Sequence, residues 1–132
     1  MNVDAHKRGI AESTEAIREC VRKGVEKWQR TVGFHCSAAA VDIFEVWLHQ
    51  QRIIDPGMNV KHEWFSSLDK VRKRFPMTFP RKEKVLQLMV ELEKKRNLLC
   101  YGKQQPRETV ESYIESFNAI RDVLRELGVE YE

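Results

Sequence analysis

The sequence contains few of the residues that interrupt regular structure. Six glycines and four prolines are scattered over 132 residues, and no stretch is rich in glycine, proline or serine. This scarcity excludes a flexible linker, a low-complexity segment and an internal repeat. A chain of this length supports one hydrophobic core, so residues 1–132 are predicted to form a single domain.

Long apolar segments are also missing. The longest, from Phe34 to Leu48, is too short to span a bilayer and is interrupted by His35, Asp42 and Glu45. The first residues, MNVDAHKRGIAES, are polar and charged and lack the apolar run of a signal peptide. These absences predict a soluble, cytoplasmic protein that does not associate with a membrane.

Cysteine and histidine are too few and too dispersed for a disulfide framework or a metal centre. The three cysteines are Cys20, Cys36 and Cys100, and the four histidines form no zinc-binding pattern. An odd number of distant cysteines in apolar helical contexts is typical of reduced core residues. We therefore expect no metal and no cofactor, and the sequence also lacks a glycine-rich phosphate loop.

Charge, by contrast, is abundant and unevenly distributed. Of 23 lysines and arginines, 12 lie between Lys70 and Arg107, where only 3 of the 20 acidic residues occur. The net charge is therefore +9 in this segment and −6 in the remainder. A segregated basic region is typical of proteins with a polyanion partner such as RNA, although solvated helix faces also cluster charge. The acidic remainder leaves room for self-association.

Apolar residues spaced three and four apart predict five helices and no strand. The helices are expected at residues 4–23, 26–52, 62–75, 81–100 and 106–127. The second is apolar nearly all round, including Trp28 and Phe34, which favours the centre of a bundle or contact with a second subunit. Val21 is expected in the inward stripe of the first helix, and Gly102 is expected to end the fourth with a positive φ. The chain is predicted to be all-α, a five-helix antiparallel up-and-down bundle.

The end of the predicted fourth helix carries a distinctive motif. Cations occupy its last turns, where the partial negative charge of a helix end favours them: Lys94, Lys95 and Arg96. The segment RNLLCYG, which begins at Arg96, resembles the Arg-Asn-x-x-x-His-Gly signature of the HEPN family. These are small α-helical domains found beside nucleotidyltransferases and in toxin–antitoxin ribonucleases. Arg96, Asn97 and Gly102 match the signature, whereas Tyr101 stands at the position of its histidine.

The resemblance covers nearly the whole chain. HEPN domains have a long second helix rich in alanine and aromatic residues, then a loop with a histidine at the head of the third helix, and then the motif. The segments GFHCSAAAVDIFEVWL, KHEWF and KKRNLLCYG occur here in that order, with His62 at the loop position. The resemblance implies a HEPN-like bundle, a homodimer with both motifs facing one cleft, and a separately encoded nucleotidyltransferase as a possible partner.

The histidine position decides whether the motif can cleave RNA. Metal-independent cleavage needs an acid–base group for the ribose hydroxyl and the leaving oxygen, and a cation for the charge on phosphorus. Arg96 suits the cationic role, because a guanidinium presents fixed donors to phosphate oxygens. Histidine suits the acid–base role with its pKa of about 6.5, whereas a tyrosine of ordinary pKa near 10 is ionised in only about one molecule per thousand at pH 7. Cleavage would require Tyr101 or His62 to replace the usual histidine.

Three hypotheses follow from the sequence. In the first, a non-catalytic or weakly catalytic HEPN-like dimer binds nucleotide or RNA phosphate through Arg96. The other residues expected at this site are Asn97, Tyr101, Lys94, Lys95 and Lys103. In the second, the protein is a metal-independent endoribonuclease with Arg96, Tyr101 and His62 as its candidate catalytic residues. In the third, the bundle is a structural interaction module, and Arg96 is a cation at a helix end without further function.

Overall fold

The computed structural model describes residues 3–132, and within this range the protein is all-helical, without strands. Its five α-helices are α1 (Val3–Lys23), α2 (Gln29–Gln50), α3 (Leu68–Arg74), α4 (Lys82–Tyr101) and α5 (Arg107–Glu126). Two 3₁₀ helices, Val25–Trp28 and His62–Ser66, precede α2 and α3. The prediction of an all-α chain with five helices is confirmed. None of the helices in the described range combines the length and the apolar character needed to cross a membrane.

Helix α2 lies at the centre and packs against α1, α4 and α5. Its innermost side chains are small or branched and fully buried: Val32, Cys36, Ala39, Ala40 and Ile43. Gly33 allows α4 to approach closely, because a Cβ atom at this position would lie 2.9 Å from the Cβ of Leu99. The hydroxyl of Tyr113 on α5 donates to the Gly33 carbonyl at 3.0 Å, which ties a third helix to the same point.

Three apolar residues of the first two predicted helices are exposed. The inward position expected for Val21 is wrong; Trp28 and Phe34 do not lie at the centre of the bundle, and contact with a second subunit stays a prediction for them. Val21 lies one residue beyond the buried stripe of α1, which ends at Cys20. Trp28 belongs to a 3₁₀ turn that follows Gly24, whose φ of 107° redirects the chain before α2 begins. Phe34 is 52% exposed on α2. This helix therefore carries an exposed aromatic side chain on its outer face.

The segment predicted as one helix at residues 62–75 is interrupted. Ser67 has an extended backbone, with φ −155° and ψ 157°, and separates the 3₁₀ helix His62–Ser66 from α3. Its hydroxyl accepts a hydrogen bond from the Lys70 amide at 3.1 Å, so it caps α3. The break leaves His62 at the start of its own short helical turn, at the loop-to-helix junction that the sequence predicted.

The fourth helix ends at the predicted place but not in the predicted way. Gly102 has φ −83° and ψ 178°, so the expected positive φ is wrong. Its amide donates to the Leu98 carbonyl at 3.1 Å, and the chain then continues extended toward α5. The side chain of Gln29 holds this turn, because its amide donates to the carbonyls of Leu99 and Lys103, at 3.2 Å each. The end of α4 is thus fixed against the start of α2.

An aromatic cluster fixes the elements around the 3₁₀ helix His62–Ser66. Its buried members are Phe44, Trp47, Phe65, Phe75 and Phe79. The ring of Trp64 packs edge-on against Phe75, and the Arg74 guanidinium lies 4.6 Å from the centroid of the Trp64 ring. The cluster joins α2 to the segments on both sides of α3. The three cysteines are buried and unbridged, as predicted.

Candidate functional site

Arg96 lies at the centre of the candidate site. It lies on α4, half-buried, on the wall shared by two surface pockets. Its Nε atom is buried and has no hydrogen-bond partner among residues 3–132, and no carboxylate in this range forms an ion pair with the guanidinium. The charge of Arg96 is therefore half-buried and has no ion-pair partner in the part of the chain that the structure describes.

The first pocket, hereafter the loop pocket, has a volume of about 250 Å³. Its walls come from α2 and from the loop before the 3₁₀ helix His62–Ser66, and Arg96 belongs to its lining. It is lined by Phe34, Ser37, Ala38, Val41, Asp42, Val60, Lys61, His62, Glu63 and Arg96. Its α2 side is mostly small and apolar, whereas the loop supplies charged groups. The loop pocket therefore combines an apolar wall with Arg96.

The second pocket, hereafter the tyrosine pocket, has a volume of about 300 Å³ and lies on the other side of Arg96. It is lined by Arg30, Thr31, Phe34, His35, Arg96, Cys100 and Tyr101. The Tyr101 side chain is 71% exposed, and the Arg30 guanidinium lies 5.9 Å from its ring centroid. Two arginines and one exposed phenol thus face a single opening, and Arg30 was not among the residues that the sequence singled out.

Cys100 contributes packing to the tyrosine pocket. Burial raises the pKa of its thiol, and the nearby charges of Arg96 and Arg30 oppose that effect only in part. A thiol with a raised pKa is protonated at neutral pH and is a poor nucleophile. The polar groups of the pocket that remain are its two arginines, Tyr101 and His35, whose Nδ1 lies 3.0 Å from the Ser13 hydroxyl.

His62 is paired with a carboxylate from α4. Its Nδ1 lies 2.8 Å from Oε2 and 3.1 Å from Oε1 of Glu93, whose side chain is largely buried. The other ring nitrogen, Nε2, lies 3.3 Å from a carboxylate oxygen of Glu63, so a carboxylate lies beside each nitrogen of the His62 ring. A carboxylate that orients an imidazole in this way is an arrangement suited to proton transfer.

Glu93 was not predicted as a site residue. The only signal in the sequence is its position three residues before Arg96, which places both side chains on the same side of α4. The contact with His62 joins residues 31 positions apart and therefore depends on how the loop folds back onto α4.

The remaining predicted site residues lie outside both pockets. Asn97, Lys94 and Lys103 are exposed and Lys95 is half-buried, and none of them belongs to the lining of the loop pocket or the tyrosine pocket. The structure thus brings Arg96 together with His62 on one side and with Tyr101 on the other. The other cations surround this centre from the surface of α4 and the turn after it.

The loop that carries His62 is anchored to α2 by a buried network of His6, Asp42, Glu45 and His49. A carboxylate oxygen of Glu45 accepts from the Val60 amide, and Nε2 of His49 lies 3.0 Å from the Met58 carbonyl. Asp42 joins the network through a 2.6 Å contact with His6 and also lines the loop pocket. One wall of the pocket is therefore held in place by buried polar contacts.

In the described part of the chain, no three histidine, cysteine, aspartate or glutamate side chains are grouped so that they could hold a metal ion. Comparisons with protein-family models, with curated proteins and with solved structures find no match.

Proposed function

We propose that the chain is a HEPN-like protein that binds the phosphate groups of a nucleotide or RNA through Arg96. The observation that carries the proposal is the guanidinium itself, half-buried between two pockets, with a buried Nε that lacks an acceptor among residues 3–132. A buried donor without an acceptor costs about 1–3 kcal/mol. If the Arg96 side chain turns so that Nε faces the pocket, a phosphate oxygen would satisfy it with a charge-assisted hydrogen bond.

The surrounding charge supports the same ligand class. Of the 12 cations between residues 70 and 107, those that form ion pairs in the described range are Arg72, Arg81 and Arg107. The others leave their positive charge uncompensated by direct partners. A polyanion approaching α4 therefore meets an attractive potential before it reaches Arg96.

A homodimer is part of the proposal. Tyr101 is an exposed aromatic residue beside Arg96, and a second copy could cover it. Symmetric pairing would bring two Arg96 side chains toward one cleft, where their repulsion is relieved by an anion between them. The HEPN-like antiparallel up-and-down arrangement, the cytoplasmic location and a nucleotidyltransferase partner belong to the same proposal.

The test is RNA binding measured against salt concentration, by fluorescence anisotropy of a labelled single-stranded RNA. The slope of log affinity against log salt is about −0.7 per phosphate contact on single strands. Arg96→Ala should make the slope shallower by roughly that amount per copy and weaken binding roughly ten- to hundred-fold, because a hydrogen bond to a charged group contributes about 1.5–3 kcal/mol. Arg18→Ala, a highly exposed arginine of α1, is the matched control and should leave both values unchanged.

Circular dichroism separates binding from folding in this experiment. Arg96→Ala should retain the helical signal and melt cooperatively. RNA binding that is unaffected by the substitution, or a domain that unfolds, would instead favour the interaction-module hypothesis, in which Arg96 is structural.

The pairing of His62 with Glu93 favours a second candidate function, a metal-independent endoribonuclease. His62 shares the loop pocket with Arg96, and its oriented ring could take the proton from a ribose 2′-hydroxyl that attacks the adjacent phosphorus. The protonated ring would return that proton to the departing 5′-oxygen, leaving a 2′,3′-cyclic phosphate. The exposed Tyr101 is the alternative acid–base group.

Cleavage assays decide between the two functions. Purified protein is expected not to cleave RNA above background, with or without a chelator, because Tyr101 replaces the histidine of the motif. Chelator-resistant cleavage that disappears in His62→Ala would establish the second function with His62 as the base. Cleavage that disappears in Tyr101→Phe would assign the role to the phenol. An RNA with a single 2′-deoxy nucleotide at the cleaved position should resist cleavage in either case.

A further inference from the structure

The loop pocket has features that phosphate binding alone does not use. Its volume of about 250 Å³ lies below the range of about 300–1,000 Å³ that accommodates drug-sized ligands, so it suits a single flat ring system. Its apolar lining residues are Phe34, Ala38 and Val41 of α2 and Val60 of the loop. An inorganic anion would gain nothing from these apolar side chains.

We propose that the loop pocket accepts a nucleobase, so that the ligand is a nucleotide unit with its base in this pocket and its phosphate on Arg96. This inference rests on the proposed function and names the part of the ligand that Arg96 does not contact. Bases stack on aromatic side chains in a sequence-tolerant way, worth about 1–3 kcal/mol per base. Phe34 offers such a side chain, because it is half exposed and belongs to the lining of the pocket.

The charges around the pocket determine which end of the nucleotide enters. Asp42 and Glu63 contribute carboxylates to the lining and Lys61 contributes a cation, so a phosphate inside the pocket would meet charges of both signs. Arg96 is a cation of the same lining without a carboxylate partner in the described range. A nucleotide therefore places its neutral base against the apolar wall and its phosphate at Arg96.

Ala38 allows a substitution that tests the pocket without touching Arg96. It is partly exposed at the pocket wall, so a leucine there would project into the space assigned to the base. Ala11→Leu, at an exposed position of α1, is the matched control. Phe34→Ala is a second variant with a small expected effect on stability, since the ring is half exposed. It keeps the test decisive if Ala38→Leu does not fold.

The experiment compares an adenylate RNA oligonucleotide with an abasic ribose-phosphate oligonucleotide of the same length and label. The unmodified protein should bind the adenylate strand about 5- to 150-fold more tightly, which is the affinity ratio for one stacked base. In Ala38→Leu or Phe34→Ala this ratio should fall toward one while the abasic strand binds as before. Ala11→Leu should retain the full ratio. Competition with adenosine monophosphate against inorganic phosphate then shows whether a free nucleotide suffices or a strand is required.

The outcomes that overturn the inference are distinct from those that overturn the proposed function. Equal affinity for adenylate and abasic strands in the unmodified protein refutes the base pocket and leaves Arg96-dependent phosphate binding intact. Equal weakening of both strands in Ala38→Leu, with a change of molecular mass in light scattering, assigns the pocket to contact with a second copy. No binding of either strand refutes the proposed function and this inference together.

Discussion

Glu45 is the buried residue whose replacement most directly tests how the His62 loop is held. Its side chain is fully buried, at 0% exposure, on α2. One carboxylate oxygen accepts from the Val60 amide, and the other lies 2.8 Å from Nε2 of His6 and 3.7 Å from Nε2 of His49. The contact between this oxygen and His6 is close but lacks hydrogen-bond geometry, since the oxygen has no hydrogen-bond partner in the described range.

The cost of Glu45→Ala follows from these contacts. The Val60 amide loses its acceptor inside the protein, which costs about 1–3 kcal/mol. Loss of the contact with His6 and the unfilled volume add to this, although His6 retains its 2.6 Å contact with Asp42. Removing one partner of a buried ion pair typically costs about 3–5 kcal/mol. We therefore expect a loss of about 3 kcal/mol in the free energy of unfolding.

Urea denaturation followed by circular dichroism measures this loss, with Glu15→Ala as the matched control. Glu15 forms an exposed pair with Arg18 at 3.5 Å, and such pairs contribute about 0–1 kcal/mol. Glu45→Gln retains an oxygen acceptor for Val60 and should cost less than Glu45→Ala. A loss below about 1 kcal/mol for Glu45→Ala would refute the view that the buried network anchors the loop.

Three further predictions concern the same framework. Burial raises the pKa of the Asp42 carboxyl, and the hydrogen bond and charge of His6 partly oppose that rise. His6→Ala should therefore raise this pKa further, as measured by NMR titration. The contribution of the carboxyl to stability is present at low pH and is lost as the pH rises through the raised pKa. Gly33→Ala should destabilise the protein by about 1–3 kcal/mol in urea denaturation, since its Cβ would lie 2.9 Å from Leu99 Cβ and 3.0 Å from Cys100 Sγ. Light scattering at micromolar concentration should give about twice the monomer mass of 15.6 kDa, and a monomer would exclude the dimer cleft.

The apolar periodicity was sufficient to predict the helices but not their exposed faces. Helices α1 and α5 begin and end within a residue of the prediction, because each has a continuous inward stripe and a glycine with positive φ after it. Phe34 could not be placed from the sequence, since an apolar residue on α2 is equally compatible with a core and with an open pocket wall. The break at Ser67 depends on a side-chain cap rather than on the apolar pattern.

The candidate site could be predicted only in part, for a related physical reason. Arg96 and Tyr101 lie in one helix, so their proximity follows from the local motif. The approach of His62 to Glu93 depends on the path of a loop fixed by Glu45, which local patterns do not encode. Arg30 faces Tyr101 because α2 crosses the end of α4, a property of packing rather than of spacing.

We propose above all that the folded protein places Arg96 where it can bind a phosphate. The most direct measurement is the NMR signal of its side-chain Nε–H group during titration with single-stranded RNA, assigned by its disappearance in Arg96→Lys. If Arg96 binds phosphate, this signal should shift to saturation as Nε–H gains a phosphate acceptor, and added salt should reverse the shift. An Arg96 signal that stays in place while backbone signals elsewhere report RNA binding would refute phosphate binding by Arg96.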